Sequence, residues 1–161
     1  HSQVTLCQLC SNDVVGHHTG MTYVKSGEGR EFKWKSDHAF LKVSAKDSGG
    51  LLSMVEDNVS VDFLLPLHKH ATHAETFFIV DGLVEIIIDG TTVMAGKGDT
   101  IHVPPNTPHA VRCIKPAKML TLLQPGGLED LFAAYQQMRA EDFEDPEKIR
   151  AVDLKHDNIV L

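Results

Sequence analysis

Three of the ten histidines in the chain fall between His68 and His73, in the stretch HKHATHAETFFIVDG that ends at Gly82. Imidazole is a common metal ligand and a proton carrier near neutral pH, so this density is the strongest chemical signal present. In an extended strand, His68 and His70 project from one face with α-carbons about 6.5 to 7 Å apart, close enough for both rings to converge on one ion. Glu75 opens the next apolar run after the turn ATHA. Neighbouring strands lie about 4.8 Å apart, which lets its carboxylate reach the same point when it faces inward. Glu75 shares strand parity with Phe77 and Ile79. Burying that face buries the charge as well, and a buried carboxylate needs a partner such as a metal. Farther on, residues 98–109 read GDTIHVPPNTPH, where the prolines around Asn106 can fix a turn that aims His109 at a defined place. His109 shares parity with Val111 and Cys113, which suit an interior. Three imidazoles and one carboxylate suit a transition metal. A closed tetrahedral shell would suit structural zinc, whereas an ion preferring five or six ligands keeps positions for oxygen, water or substrate. His73, in the turn between ligands, and His102, in the run TIHVP, are candidates to hydrogen-bond a ligand, with plain exposure as the alternative for each.

The elements that must position these groups are short strands. Residues 1–36 have mixed polarity with scattered glycines and no helical period, which predicts an irregular segment with short strands packed on the body of the protein. From Ala39 the runs AFLKVSA, LLSMVED and VSVDFLLPL are of strand length and bounded by turn formers. FFIV, LVEIII and TTVM are separated by Asp81-Gly82 and Asp89-Gly90, dipeptides suited to tight hairpins, so two successive hairpins are expected. TIHVP, HAVRCI and MLTLLQP complete the series. After Pro125-Gly126-Gly127, Leu128, Leu131, Phe132, Tyr135 and Met138 recur at helical spacing, and a second helix is expected from Pro146. Strands first and helices last predict one mainly β domain: a segment over 1–36, a barrel over 37–125 and a helical cover over 126–161.

Composition narrows the functions. Fifteen Lys and Arg against twenty-two Asp and Glu give a net charge of −7, which repels phosphate backbones and argues against a nucleic-acid partner. The apolar runs are far shorter than the roughly 18 residues of a bilayer helix, so no membrane partner is expected. Three cysteines make a disulfide framework improbable and point to a reducing, cytoplasmic setting. Cys7 and Cys10, with His17 and His18 nearby, could imitate a zinc knuckle or redox pair, but a lone CxxC is weak and ordinary thiols are the preferred reading. His1 and Ser2 precede no methionine and read as a remnant of expression, and no secretory signal is visible.

The two motifs, His68-x-His70, Glu75 and Gly82, then Gly98, Pro104 and His109, resemble those of the cupin superfamily. SGGLLSMVEDNVSVDFLLPLHKH resembles the entry strands of its quercetinase-like members, LLQPGGLEDLFAAYQ their exit strand and covering helix, and DPEKIRAVDLKHDNI their tail. The resemblance implies a single-domain cupin jelly-roll β-barrel with one or two C-terminal helices, often a homodimer. It implies metal ligands at His68, His70, Glu75 and His109, and one divalent ion among iron, nickel, manganese, copper, cobalt and zinc. Asn106 stands where the second motif usually has Gly, and Cys113 where it usually has Asn. Parity with the ligands makes Leu64, Phe77, Ile79, Val111 and Cys113 candidate substrate-binding residues, with no Arg or Lys among them. Such a pocket suits a phenolic, enolic or polyketide-like molecule, whereas a small dianion would want a cationic clamp. The expected activity is that of a metal-dependent dioxygenase consuming molecular oxygen, with Glu75 as a possible base. Non-oxidative isomerisation, cyclisation, decarboxylation or dehydration, or a non-catalytic binding role, are the alternatives.

Overall fold

The computed structural model describes residues 20–34 and 36–161, so Cys7, Cys10, His17 and His18 lie outside the described residues. The described chain runs β1 Arg30–Lys33, β2 Asp37–Val43, β3 Ser53–Val59, β4 Leu64–Lys69, β5 Ala74–Ile88, β6 Thr91–Gly96, β7 Thr100–Val103 and β8 His109–Gln124. Helix α1 Glu129–Gln137, a 3₁₀ turn at Ala140–Glu144, helix α2 Pro146–Lys155 and the short strand β9 Ile159–Val160 follow. The strands form one antiparallel sheet ordered β1-β2-β3-β8-β4-β9, with β5 pairing β6, β7 and β8. The curled sheet is a jelly-roll with C-terminal helices, and its hydrogen-bonded ladder does not close into a ring.

Alternation sets the inside. Phe77 and Ile79 are buried while Phe78 is exposed, and Val111 and Cys113 are buried around exposed Arg112. These inward chains join Val84, Ile86, Val103 and Met119 in the main apolar cluster. A second cluster, Phe32, Ala39, Leu41, Val55, Leu123 and Leu128, lies under α1, where Phe132 meets Phe32 and Trp34 edge-on with ring centroids 5.7 Å apart. Helix α1 is also anchored by charge: the buried Glu129 carboxylate accepts hydrogen bonds from the Ala45 and Gly127 amides at 2.7 and 2.8 Å. Helix α2 starts at Pro146, and the Asp145 side chain caps the Glu147 and Lys148 amides.

Two strand boundaries differ from the sequence expectation. Asp89-Gly90 is the hairpin between β5 and β6, with φ of 46° and 78°. Asp81-Gly82 is not a hairpin: FFIV and LVEIII belong to one strand that pairs with β8 along its whole length. There the register shifts, with Asp81 opposite Lys118 and Leu83 opposite Lys115. Gly82, at φ 89°, lets the chain bulge where a Cβ would sit 2.2 Å from the Pro116 carbonyl oxygen. A local turn signal has yielded to a long tertiary ladder and become a bulge. HAVRCI and MLTLLQP are likewise one strand, β8.

Candidate metal centre

The strands bring the two distant motifs together. His68, on the inward face near the end of β4, pairs directly with His109, the first residue of β8. His70 lies one residue beyond β4, and Glu75 enters on β5 opposite Leu123 of β8. The ligand atoms of His68, His70, Glu75 and His109 all lie within 4.8 Å of one another, and all four residues are buried. This quartet is the grouping of metal-ligating side chains found among the described residues.

Each imidazole is oriented from behind. Nδ1–H of His68 donates to the Pro66 carbonyl at 2.7 Å, that of His109 to the Thr107 carbonyl at 2.9 Å, and that of His70 to the Asp157 carbonyl at 2.7 Å. With Nδ1 committed, the neutral ring turns its Nε2 lone pair toward the centre, the tautomer a metal requires. Two observations test the fit to a cation. Nε2 of His70 is buried and has no hydrogen-bond partner, lying 3.4 Å from Glu75 Oε2. Nε2 of His109 lies 2.7 Å from the same oxygen. Lone pairs at that separation repel unless a positive charge, a proton or a metal ion, lies between them. The donor set therefore fits a divalent transition ion.

The electrostatics agree. Burial pushes His68 down to about 4, against the pull of Glu75, so the ring is neutral at pH 7. Burial would lower His70 too, but Glu75 outweighs it and raises the group. Burial would raise Glu75, yet the hydrogen bond from His109 and the neighbouring His70 hold its carboxyl well below the usual range. The centre is a buried carboxylate among imidazoles.

The second motif's departure from glycine has a conformational explanation. Asn106 sits at φ 60°, a left-handed position that asparagine tolerates better than most residues. Its amide donates to the His70 carbonyl at 2.6 Å and its side-chain oxygen accepts from Lys69, tying the proline turn to the ligand strand. Cys113 is buried, with its thiol 3.0 Å from the Lys115 carbonyl.

A cavity of about 530 Å³ opens beside the centre. His68, His70 and Glu75 form part of its wall, together with Phe63, Leu65, Phe77 and Met119. The cover adds Leu131, Phe132 and Tyr135 from α1, Ile149 and Asp153 from α2, and Asn158 and Val160 from the tail. Of the substrate-contact candidates, Leu64 and Phe77 line this cavity, while Ile79, Val111 and Cys113 pack in the main apolar cluster. His102 is exposed and hydrogen-bonds Thr76 at 2.8 Å, away from the ligands. His73 is half-buried and donates to the Asp157 carboxylate at 2.6 Å.

Sequence reasoning missed two features. Asp157 supports the centre from the tail: besides its carbonyl bond to His70, its carboxylate accepts from the amides of Ala71, Thr72 and His73 and from the Thr72 hydroxyl. Asp37 and Asp57 also line the cavity. Burial, with Asp57 nearby, pushes Asp37 up to about 8. Burial, opposed by the Thr121 hydrogen bond and reinforced by Glu75 and Glu56, pushes Asp57 up to about 7. A signal for Asp57 was present in LLSMVED, whose charges fall in a strand-length apolar run, but parity does not tell an inward Asp from an outward one.

Comparison with known proteins agrees with this geometry. Residues 62–123 match the Cupin domain family. The chain is 29% identical over 110 residues to quercetin 2,3-dioxygenase of Bacillus subtilis, a match covering 68% of this chain and 33% of that protein. It is 37% identical over 75 residues to an uncharacterized protein of Methanocaldococcus jannaschii, covering 45% of this chain and 60% of that one. The matches thus span about a third and three-fifths of the lengths of these two curated relatives. Among solved structures, KdgF from Halomonas sp. has the same fold, with a TM-score of 0.60 at 16% identity over 66% of this chain and 96% of that chain. The Cupin domain match over residues 62–123 and the shared fold together support a cupin superfamily member.

Proposed function

We propose that the protein is a metal-dependent dioxygenase of the quercetinase-like type, acting on a hydrophobic phenolic, enolic or polyketide-like small molecule with molecular oxygen. The proposal includes a homodimer working in the cytoplasm, without nucleic-acid or membrane partners. The observation that carries it is the meeting of the four-ligand centre with a mostly apolar cavity of a size suited to a small aromatic molecule. A filled barrel would suit a binding or storage module; here open space reaches three of the ligands.

A bound divalent ion, one of iron, nickel, manganese, copper, cobalt and zinc, would supply Lewis-acid contact to a substrate oxygen and a path for electrons between substrate and oxygen. Both oxygen atoms enter the product in such a reaction, so no external reductant is needed. His68, His70 and His109 hold their Nε2 atoms on the centre through their backbone partners. Phe63, Leu64 and Phe77 offer the apolar surface that orients a ring, and the cover keeps bulk water from it. Glu75, the carboxylate of the quartet and part of the cavity wall, takes the proton of a substrate hydroxyl.

The test pairs elemental analysis of protein purified without added metal with oxygen uptake on a panel of phenols. One equivalent of a transition metal and oxygen consumption matched to loss of phenol are expected. Turnover unchanged without oxygen would replace this reading with a lyase or isomerase, and metal binding without turnover of any compound would leave a binding module. Comparing His70→Ala with Glu75→Ala separates the roles: loss of metal in both makes Glu75 a ligand, and full occupancy without turnover in Glu75→Ala makes it a base alone.

A further inference from the structure

One wall of the cavity is built from adjacent strands in the order β2, β3, β8 and β5. Asp37 enters from β2, Asp57 from β3, Thr121 from β8 and Glu75 from β5, and all four line the same space. Strand spacing puts Asp57 roughly 10 Å across the wall from β5, about the span of a two-ring aromatic. Asp57 is 7% exposed, and one of its carboxylate oxygens accepts from the Thr121 hydroxyl at 2.6 Å. Oδ1 of Asp37 is buried and has no partner. Among the described lining residues none is Lys or Arg. A pocket lined by Asp37, Asp57, Glu75 and Asp153 with no Lys or Arg is therefore built for something other than an anion.

We propose that Asp37 and Asp57 determine specificity by holding a hydroxyl group at the far end of an uncharged aromatic substrate whose near oxygen faces the metal centre. The proposal rests on the cavity being the substrate site. A hydroxyl matches the pair because it donates to an unpartnered carboxylate oxygen and accepts from a protonated one. Burial keeps a proton in the pair near neutral pH, so both directions are available. A substrate carboxylate at that position would meet like charge in a low-dielectric wall and gain no donor other than that one proton.

Calorimetry on the metal-loaded full chain tests this with three probes that share a naphthol and differ only at the distal ring position: naphthol, dihydroxynaphthalene and hydroxynaphthoate. The wild type is expected to bind dihydroxynaphthalene about tenfold more tightly than naphthol and to bind hydroxynaphthoate more weakly than either. In Asp57→Leu the preference for the second hydroxyl over naphthol falls to about onefold. Asp37→Asn and Asp57→Asn, which keep the side-chain shape, gain hydroxynaphthoate binding. Equal affinity of naphthol and dihydroxynaphthalene in the wild type, or a preference that none of the variants moves, overturns the proposal while leaving the cavity as the substrate site. Tighter binding of an aminomethylnaphthol, whose alkylamine is protonated at pH 7, than of dihydroxynaphthalene overturns it in favour of an ammonium group. Failure of every probe to bind removes the cavity as substrate site and this inference with it.

Discussion

His68 and His109 are held by the barrel, whereas His70 is held by the tail. The first two donate Nδ1–H to carbonyls two residues upstream, Pro66 and Thr107, so each carries its support in its own strand or turn. His70 donates to Asp157, 87 residues away, and the turn that follows it is gripped by the same residue's carboxylate. The tail is then fastened by β9, which pairs with β4 directly beside the ligands, His68 opposite Val160 and Lys69 opposite Ile159. Two ligands thus depend on local chain geometry, and one on the docking of a remote segment. The difference places the adjustable part of the centre at His70.

This contrast can be broken most sharply by removing residues 156–161. Zinc affinity, measured by competition with a chelator on protein that still melts cooperatively, should fall roughly 10- to 100-fold, the usual cost of losing a partner behind a ligand. Undiminished affinity would show that the barrel alone orients His70. A smaller step is expected from Asp157→Ala, which keeps the carbonyl but frees the turn at 71–73. Roughly fivefold weaker binding corresponds to the ~1 kcal/mol of a lost hydrogen bond. Thr107→Ala, which leaves its carbonyl in place behind His109, should stay within about twofold of wild type. Equal losses in the two variants would erase the distinction between local and remote support.

The smallest effect concerns stability and the other wall of the cavity. Asp37 and Asp57 keep protons in the folded state that the unfolded chain has lost, over a window from the ordinary value of 3.8 up to about 8 and about 7. The native state binds more protons there, so raising the pH through that window removes stability. In metal-free Asp57→Asn this loss should be reduced. The gap in melting temperature between variant and wild type should widen by roughly 2–4 °C toward the alkaline end, the shift about 1 kcal/mol produces in a chain of this size. A constant gap would mean that Asp57 titrates as an ordinary carboxyl.

The same division explains what was legible in the sequence. The quartet could be read because period-two alternation fixes a face, and Glu75 and His109 share theirs with Phe77 and Val111. Helix α1 and the Pro146 start of α2 carried their own local signals. Asp157 could not be read: nothing near it in sequence hints that its carbonyl meets His70. Asp37 and Asp57 were hidden for another reason. In β3 three consecutive residues, Val55, Glu56 and Asp57, are buried, so alternation breaks down where Glu56 finds Lys42 and Lys118 on its side and Asp57 faces the cavity. Asp81-Gly82 carried a true local preference that pairing with β8 overrode.

Because the carbonyl behind His70 comes from residue 157, a nascent chain carries a complete set of four ligands long before it can orient all of them. Full orientation of the quartet therefore waits on the docking of α2 and β9, not on the strands alone.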